Sequence, residues 1–469
     1  MSGVTIDQSA IEELAAGFRG ELLRPGDAGY DAARRVWNAM IDRRPALIAR
    51  CTGVADVVRA VGFARAGGLP LAVRGGGHSV AGNGVCDDGV VIDLSGLQGV
   101  RVDPAARTAR AQPGTTWGLF DRETNVFGLA VTGGLVSTTG IAGLTLGGGL
   151  GWLARTHGVT ADNLVSADVV TADGEVLTAS ERENGELLWG LRGGGGNFGV
   201  ATSFEYRLHP VDRVLGGAVF HSGDDLEAVL RFFRDFVADA PDELTVIAVV
   251  LTAPPFPFLP DEAHGKLAVA LAVCYAGDLG EGEAALGPLR AFGRSLADVV
   301  GPLPYPALQS MFDGGYPSGL HNYWKSSYLD VLTDEAIAVF AEQSRRMPAP
   351  TTSFYLEHLG GAIARGGAGS AFGHRDALFD FSILTSWADP AQTDEHVAWT
   401  REFFEAMQPH AAAGVYVNNL GLEGEDRVRA AYAPEIYERL VRLKDAYDPD
   451  NVFRLNQNIR PSREPAEPG

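Results

Sequence analysis

The chain has 469 residues, of which 46% are hydrophobic and 21% are charged, a composition typical of a soluble, well-buried globular protein. Its length exceeds what one ordinary hydrophobic core supports, so we expect two domains or one elaborated domain. A net charge of −21 at pH 7 argues against nucleic acid and anionic membranes as partners.

The cysteines and the apolar runs indicate where the protein works. Cys51, Cys86 and Cys274 include no CxxC pair, so they predict neither a disulfide framework nor a zinc site, and we expect no metal. The first 30 residues lack the apolar core of a signal peptide, and no run of about 18 apolar residues predicts a membrane span. We therefore expect a cytoplasmic monomer or homodimer without a membrane partner.

Short β segments, helices and glycine-rich loops alternate over the first 210 residues. Residues 46–64 predict a strand, a turn and a helix, and residues 69–79 predict a strand that runs into a glycine loop. Residues 164–180 read LVSADVVTADGEVLTAS, two β segments around an Asp-Gly turn, which predicts a hairpin. The pattern indicates a mixed domain whose glycine loops lie beside strand ends.

The pattern changes at about residue 214. The stretch DDLEAVLRFFRDFVAD spaces its apolar residues at helical intervals, while ELTVIAVVLTA and KLAVALAVCYAG predict strands. This alternation continues to about residue 415 and predicts an α+β layer in which helices cover one face of a sheet. Near the end Pro434 opens a helix, and we expect residues 461–469 to be a disordered tail.

Three glycine clusters, at residues 75–77, 147–149 and 193–196, each lie beside a predicted strand end. The third matches GxGxxG, but a helical segment precedes it and a strand follows it, the reverse of what a dinucleotide fingerprint requires. One such cluster would be read as a turn. Three of them offer unhindered backbone N–H groups that can cradle a pyrophosphate, so they predict a bulky nucleotide cofactor.

Five segments, in this order, carry a resemblance to a known family. They are RPGDAGYDAARRVWNAMIDRRPALI (24–48), VRGGGHSVAG (73–82), GLTLGGGLGWLARTHGVTADNL (143–164), LLWGLRGGGGNFGVAT (187–202) and YDPDNVFRLNQNI (447–459). Together they resemble the berberine bridge enzyme-like branch of the vanillyl-alcohol oxidase flavoproteins, and above all its bacterial, nicotine-oxidase-like members.

The resemblance implies a fold and a division of the chain. The implied fold is α+β, with a p-cresol methylhydroxylase-type (PCMH-type) FAD-binding domain of two subdomains and a separate substrate-binding domain, an antiparallel sheet covered by helices. The implied segments are a helical lead-in (1–42), the FAD-binding domain (43–212), the substrate-binding domain (213–415) and a berberine bridge-like segment that returns to the FAD domain (416–460).

The resemblance also implies how FAD is held. In this family the histidine after the RxGGH loop is bonded through a ring nitrogen to the 8α-methyl group of FAD, which assigns the covalent link to His78. Val136 stands where many relatives have a second tethering cysteine, so one link is implied. Further cofactor contacts are implied for Arg74, Gly75, Gly76, Gly77, Ser79, Gly82, Thr139, Gly140, Gly143, Gly147, Gly148, Gly149, Gly158, Asp162, Asn163, Gly196, Gly199, Val200, Asn456 and Asn458.

Candidate substrate-side residues lie on the predicted strand FYLEHLGG (354–361). Strand alternation places Tyr355, Glu357 and Leu359 on one face, and the resemblance implies that this face lines the active site. Glu357 could then hold a cationic amine or act as general base. A register error of one residue would present His358 instead. The resemblance also implies that Asn163 contacts the substrate.

Two more candidates lie near the C-terminal part of the chain. VYVNNLG (415–421) departs from the Tyr-x-Asn-Tyr pattern of many plant and fungal members, because Asn419 stands where the second tyrosine, often the base, is expected. Tyr416 and Asn418 are predicted to face the opposite side and to pack structurally. Lys325, on the predicted strand YWKSSYL, is a further candidate catalytic residue at the border of the pocket.

These observations predict an FAD-linked oxidase. Hydride would pass from a small amine, alcohol or secondary metabolite to the flavin, and O₂ would reoxidise it to give H₂O₂. One alternative is a biosynthetic flavin-dependent oxygenase acting on a polyketide-like metabolite, for which Ser137, Thr138 and Thr139 would form an oxygen pocket. Another is a flavin-binding protein without catalysis.

Overall fold

The computed structural model describes residues 6–463, so the predicted tail beyond residue 463 lies outside the described residues. The first subdomain is a small sheet in the order β1-β2-β4-β3, in which β2, β4 and β3 are parallel and β1 joins antiparallel. Its strands are β1 (Glu21–Leu23), β2 (Leu47–Arg50), β3 (Leu71–Arg74) and β4 (Val90–Asp93). Its helices are α1 (Gln8–Ala16), α2 (Tyr30–Ala33) and α3 (Val54–Ala66).

The N-terminal segment is more than the helical lead-in expected for residues 1–42. Within it β1 pairs with β2 and so extends the first sheet. Three residues are too few to show a two-residue alternation against their neighbours, so the sequence pattern did not reveal this strand.

The second subdomain is an antiparallel sheet in the order β5-β6-β10-β8-β9. Its strands are β5 (Val100–Asp103), β6 (Thr108–Ala111), β8 (Leu164–Val170), β9 (Val176–Ser180) and β10 (Val200–Arg207), while β7 (Leu129–Ala130) pairs with β11 (His209–Pro210). Its helices are α4 (Trp117–Asn125), α5 (Ile141–Leu146), α6 (Ala154–His157) and α7 (Gly185–Leu191). The predicted hairpin β8–β9 is confirmed, and the third glycine cluster does join a helix to a strand.

The large sheet of the central part is antiparallel, in the order β15-β12-β14-β13-β18-β19-β17, with β16 paired to β12. Its strands are β12 (Arg213–Ser222), β13 (Leu244–Thr252), β14 (Leu267–Tyr275), β15 (Ala297–Asp298), β16 (Gly301–Pro304), β17 (His321–Leu329), β18 (Ser353–His358) and β19 (Phe379–Trp387). The accompanying helices are α8 (Leu226–Val237), α9 (Leu279–Ala291), α10 (Tyr305–Gln309), α11 (Asp334–Ser344), α12 (Ala362–Arg365) and α13 (Thr393–Met407).

The two faces of this sheet have different neighbours. Helices α8, α11 and α13 pack on one face around a core that includes Phe354, Leu356 and Phe381. The opposite face meets side chains of the second subdomain, among them Trp152. The predicted α+β layer is therefore confirmed. The face without the helix layer is the one that packs against Ala130, Trp152 and Leu153 of the second subdomain.

The C-terminal segment adds α14 (Glu425–Ala430) and α15 (Pro434–Tyr447). Leu440 and Leu443 of α15 are buried in the same core as Trp189 and Phe198 of the second subdomain. The apolar side of α15 is buried against the second subdomain, which brings the C-terminal segment back to the N-terminal half of the chain.

Candidate active site

A cavity of about 270 Å³ lies where the two N-terminal sheets and the C-terminal segment meet. Glycine loops and apolar side chains form most of its wall. The predicted cofactor residues that line it are Arg74, Gly75, Gly76, Gly77, His78, Ser79, Gly140, Gly143, Gly147, Gly196, Gly199, Val200 and Asn456. The side chain of Arg74 is buried in an ion pair with Asp93, 2.6 Å from Nη2 to Oδ2.

Two glycines show that the wall is shaped for a ligand. A Cβ atom built on Gly143 or Gly196 would meet nothing within 4 Å, so the protein's own packing does not require glycine there. A side chain at either position would extend into space beside the cavity wall. Oδ1 of Asn456, also on the wall, is buried without a hydrogen-bond partner among residues 6–463. The surroundings therefore fit a bulky ligand that approaches the backbone and offers hydrogen-bond donors.

Several glycines predicted to touch the cofactor serve the protein's own packing. Gly148 has φ +114° and its Cβ would stand 2.3 Å from the ring of Phe372, while Gly158 has φ +80° beside Asp162. Both need a left-handed backbone, which glycine adopts without strain. Neither glycine is in the described lining of the cavity. The same holds for four other predicted contacts: Gly82, Gly149, Thr139 and Asn458.

The side chains of Asp162 and Asn163 bond to other parts of the protein, and their contacts with the ligand stay a prediction. Asp162 forms a two-point ion pair with Arg375, with Nη2 2.6 Å from Oδ1. The amide of Asn163 donates to the carbonyls of His157 and Val159, and its Oδ1 lies 2.7 Å from Nε2 of His209. Their side chains therefore stabilise the loops around them through these hydrogen bonds. Motif membership could not distinguish that role from ligand binding.

His78 lies on the cavity wall between two side chains. The indole of Trp37 stacks on its imidazole with ring centroids 4.4 Å apart, and Oγ1 of Thr138 is 3.4 Å from Nε2. Burial lowers the pKa of His78 to about 4, and the charge of Asp313 acts in the opposite direction. The imidazole is therefore neutral at physiological pH and keeps a nitrogen lone pair.

Glu357 lies on β18 with its side chain on the face turned away from the helices. Phe354 and Leu356 point into the helix-covered core, so alternation sends Glu357 to the other face, as predicted. His358 points with the helix side, and its Nε2 is 3.3 Å from Nη1 of Arg155. The alternative register is thereby excluded.

Asp380 of β19 is the direct cross-strand partner of Glu357. Both carboxyl groups are buried. Burial raises the pKa of Glu357 to about 8, with a further contribution from the charge of Asp380. Burial also raises the pKa of Asp380 to about 6, although hydrogen bonds from Ser326 and Ser382 oppose this. Two like charges in a desolvated site cannot both form freely, so the pair shares about one proton near neutral pH.

Asn419 closes this group of side chains. Its Nδ2 is 2.8 Å from Oγ of Ser382 and 3.4 Å from both Oδ2 of Asp380 and the hydroxyl of Tyr355. Burial raises the pKa of Tyr355 well above its usual range, and the charges of Asp380 and Glu357 add to this, so the phenol stays protonated. The predicted candidates Glu357, Tyr355 and Asn419 therefore meet in one cluster with Asp380, in which Tyr355 is half-buried and the other three side chains are buried.

The segment 416–419 does not alternate like a strand. Val417–Asn419 forms a turn of 3₁₀ helix, so the expectation that Asn418 faces away from the site is wrong. Asn418 lines the cavity, and its amide donates to the hydroxyl of Tyr416 and the carbonyl of Leu144. Tyr416 in turn accepts from the backbone N–H groups of Gly149 and Leu150. Asn418 faces the cavity and its neighbour Asn419 contacts the carboxyl cluster, so the cavity and the cluster lie side by side.

The predicted catalytic role of Lys325 does not agree with its position. Lys325 pairs with Ile383 across β17 and β19, and Ile383 belongs to the helix-covered core. Its ammonium group forms an ion pair with Glu423, 2.5 Å away, and lies over the ring of Phe404 on α13. Its side chain is therefore on the opposite face from Glu357. The sequence does not indicate how β17 pairs with its neighbour, so only the structure shows which face of the sheet carries the Lys325 side chain.

Asp380 was missed at the sequence level. Its strand reads FDFSILTSW, which looks like a buried apolar run, but Asp380 and Ser382 share a face by two-residue alternation. A carboxylate in such a run is unusual unless it is paired or functional, and that signal could have singled it out.

A glycine-lined cavity beside a buried pair of carboxyl groups is the arrangement of a cofactor-dependent enzyme. Models of two families match the chain: an FAD binding domain over residues 45–180, and a "berberine and berberine like" segment over residues 415–460. The chain belongs to the berberine bridge enzyme-like family of FAD-linked oxidoreductases.

Relatives match over nearly the whole length. (R)-6-Hydroxynicotine oxidase of Paenarthrobacter nicotinovorans is 32% identical over 459 residues, which cover 95% of this chain and 97% of that protein. An FAD-linked oxidoreductase of Dictyostelium discoideum is 30% identical over 459 residues, 96% of this chain and 97% of that one.

Solved structures show the same fold. The crystal structure of 6-hydroxy-D-nicotine oxidase from Arthrobacter nicotinovorans superposes with a TM-score of 0.85 at 29% identity, covering 94% of this chain and 98% of that one. Berberine bridge enzyme from Eschscholzia californica, at 20% identity and a TM-score of 0.85, covers 97% and 99% and shares the fold. The protein is an FAD-dependent oxidoreductase of the oxidase type with a PCMH-type fold. No helix within residues 6–463 has the length and apolar character needed to cross a bilayer.

Proposed function

We propose that this protein oxidises a small amine or alcohol with FAD attached through a single covalent bond to His78 and with O₂ as the electron acceptor. Bound FAD supplies the two-electron acceptor for the substrate's C–H hydrogen, and O₂ takes the electrons to give H₂O₂. The observation that carries the proposal is the buried pair of Glu357 and Asp380 beside the cavity.

The carboxyl pair would handle the substrate's proton. Near neutral pH Asp380 is the group whose pKa, about 6, leaves it ionised, while Glu357 with a pKa of about 8 holds the shared proton. Asp380 can therefore accept a proton from an N–H or O–H group of the substrate. The single negative charge of the pair favours a substrate that carries or develops positive charge, which describes an amine or an alcohol undergoing oxidation.

Tyr355 and Asn419 would orient this base. The amide of Asn419 bridges Ser382 and Asp380, which limits the rotation of the carboxylate. The phenol of Tyr355 keeps its proton and can donate a hydrogen bond to the substrate heteroatom. In this arrangement Asn419 takes a place where a tyrosine base is expected in other members, and the basic role passes to the carboxyl pair.

The single covalent link is supported by the positions of His78 and the cysteines. His78 is a neutral imidazole on the cavity wall. Cys51, Cys86 and Cys274 are buried thiols outside the lining, and burial raises the pKa of Cys86 to about 11, so it is a poor nucleophile at pH 7. These free thiols also support a reducing, cytoplasmic location.

Two measurements test the proposal. Acid precipitation of the purified protein should leave the yellow flavin on the polypeptide, and the variant His78→Ala should release it. Anaerobic mixing with a panel of amines, alcohols and sugars should bleach the flavin with at least one amine or alcohol, and air should then restore it with one H₂O₂ per product.

The outcomes separate the alternatives. Incorporation of an oxygen atom from ¹⁸O₂ into the product would identify an oxygenase instead. Bleaching by sugars alone would contradict the substrate class. Complete release of the flavin from the wild-type protein into acid would contradict the covalent bond.

A further inference from the structure

The neighbours of His78 come from outside its own loop. Trp37 is buried and stacks on the imidazole with an angle of 19° between the ring planes. Thr138 offers its hydroxyl to Nε2 at 3.4 Å. A stacked ring and a hydroxyl together restrict the imidazole's rotation, although neither belongs to residues 73–84.

A segment of the central domain holds both neighbours in place. Asp313 accepts two hydrogen bonds from Ser137, the residue before Thr138: the backbone N–H at 2.8 Å and the hydroxyl at 2.6 Å. The carbonyl of Tyr316 accepts the indole N–H of Trp37 at 3.1 Å, and the N–H of Gly319 donates to the carbonyl of Trp37 at 3.1 Å. Residues 313–319 therefore form hydrogen bonds on both sides of His78, to Ser137 beside Thr138 and to Trp37.

The charge of Asp313 has the sign that bond formation at His78 requires. Asp313 favours the protonated imidazole, whereas burial disfavours it. When a ring nitrogen bonds to a carbon atom, the imidazole gains positive charge until it loses its remaining N–H proton. A carboxylate fixed nearby stabilises that charge as it develops. Burial keeps the lone pair available, and Asp313 lowers the cost of using it.

We propose that Asp313 is a positioning residue for covalent attachment of FAD to His78, acting through Ser137 and Thr138, with Trp37 as the second support. Attachment then requires the central domain to be docked, because Asp313 and Tyr316 belong to it. This inference rests on the proposed covalent bond at His78. The reaction forms one C–N bond, removes one hydrogen from the 8α-methyl group and one from the imidazole, and reduces O₂ to H₂O₂.

The experiment measures the rate of attachment. Protein produced under riboflavin limitation is mixed with FAD in air, and acid-stable flavin and the mass of the His78 peptide are followed with time. We expect Asp313→Asn to bind FAD but to attach it about ten- to a hundredfold more slowly, the effect of one nearby charge at an effective dielectric constant of ~20. Asp313→Glu should restore part of the rate.

A matched control removes a charge elsewhere in the same domain. Asp242 pairs with Arg365 at the surface, and Asp242→Asn should attach FAD at the wild-type rate. Since Asp313→Asn could fail to fold, Thr138→Val provides a second variant at an exposed position, with Thr138→Ser expected to restore attachment. A general structural defect would lower FAD binding and melting temperature as well, so both are measured.

The outcomes are distinct. Wild-type attachment rates in both Asp313→Asn and Thr138→Val would overturn this inference and leave the covalent bond intact. No acid-stable flavin in the wild-type protein would overturn the covalent bond itself, and the role of Asp313 with it. Slow attachment in Asp313→Asn and Thr138→Val, with normal FAD binding and a normal control, is the expected result.

Discussion

Replacing Asp380 with asparagine removes the charge opposite Glu357 and keeps the size of the side chain. In the wild-type protein the two residues are direct cross-strand partners, and both are buried. Burial is the larger cause of the raised pKa of Glu357, and the charge of Asp380 is the second. The substitution should therefore lower the pKa of Glu357 from about 8 toward, but not to, its ordinary value.

The size of the shift follows from the strand geometry. Direct cross-strand partners have Cβ atoms about 5 Å apart, and two unit charges at about 5 Å with an effective dielectric constant of about 20 repel by roughly 3 kcal/mol. That energy corresponds to about two pH units. The carboxyl groups can point apart, so we expect a decrease of about one to two units.

The assay is the pH dependence of flavin reduction, followed anaerobically with a substrate from the panel above. In the wild-type protein the rate should rise as pH increases through about 6, where Asp380 ionises, and fall through about 8, where the pair loses its last proton. In Asp380→Asn the limb near pH 6 should vanish, and the limb near pH 8 should move down by one to two units. The rate at neutral pH should fall by about 10²–10⁴-fold.

Asp376→Asn is the matched control, because Asp376 is exposed in the same segment and carries the same charge. Its pH profile should match the wild type. If the profile of Asp380→Asn also keeps both limbs at their wild-type positions, the two carboxyl groups do not share a proton, and the mechanism proposed for the pair is wrong.

Five further substitutions test other parts of the structure. Glu357→Gln should keep the fold and the flavin, and because its amide replaces the protonated carboxyl group of Glu357, the fall in the rate of flavin reduction near pH 8 should vanish. His358→Ala should keep the wild-type pH profile; the reverse result would mean that the other face of β18 looks into the site. His78→Ala should lose all acid-stable flavin, and a flavinylated peptide lacking residue 78 in the wild type would disprove the single link. Lys325→Met should leave kcat/KM within about twofold, since its side chain lies on the helix side, and a tenfold loss would contradict that position. The carboxyl oxygens of Asp121 have no hydrogen-bond partner among residues 6–463. Burial raises the pKa of Asp121 well above the usual range, so this carboxyl group binds its proton more tightly in the folded state. The unfolded state loses this proton near pH 4, so the free energy of unfolding falls by up to about 1.4 kcal/mol for each pH unit between roughly pH 4 and the raised pKa of the folded state. Asp121→Asn should therefore raise the melting temperature more at pH 8 than at pH 5, and equal gains at both would refute this.

Local rules were sufficient where the chemistry depends on neighbours in the chain. Alternation along FYLEHLGG placed Glu357 and Tyr355 on one face because a strand turns successive side chains to opposite sides, whatever the strand pairs with. The loop VRGGGHSVAG predicted that His78 lies at the cavity, because the glycines that let the loop's backbone line the cavity are its neighbours in the sequence. The helix–strand order around the third glycine cluster was likewise readable from the sequence, and it correctly argued against a Rossmann unit.

Only the tertiary structure decided which distant residues meet. Asp380 became the partner of Glu357 through the register of β18 against β19, and register is set by side chains packed on both faces of the sheet. Lys325 was directed to the helix side by its pairing with Ile383, and Asn418 reached the cavity because Val417–Asn419 turns as a 3₁₀ helix instead of extending. Asp313 lies 235 residues from His78 and influences it only because the central domain docks there. A one-residue change in pairing reverses the face of every side chain in a strand, and no pattern within a single strand records that choice.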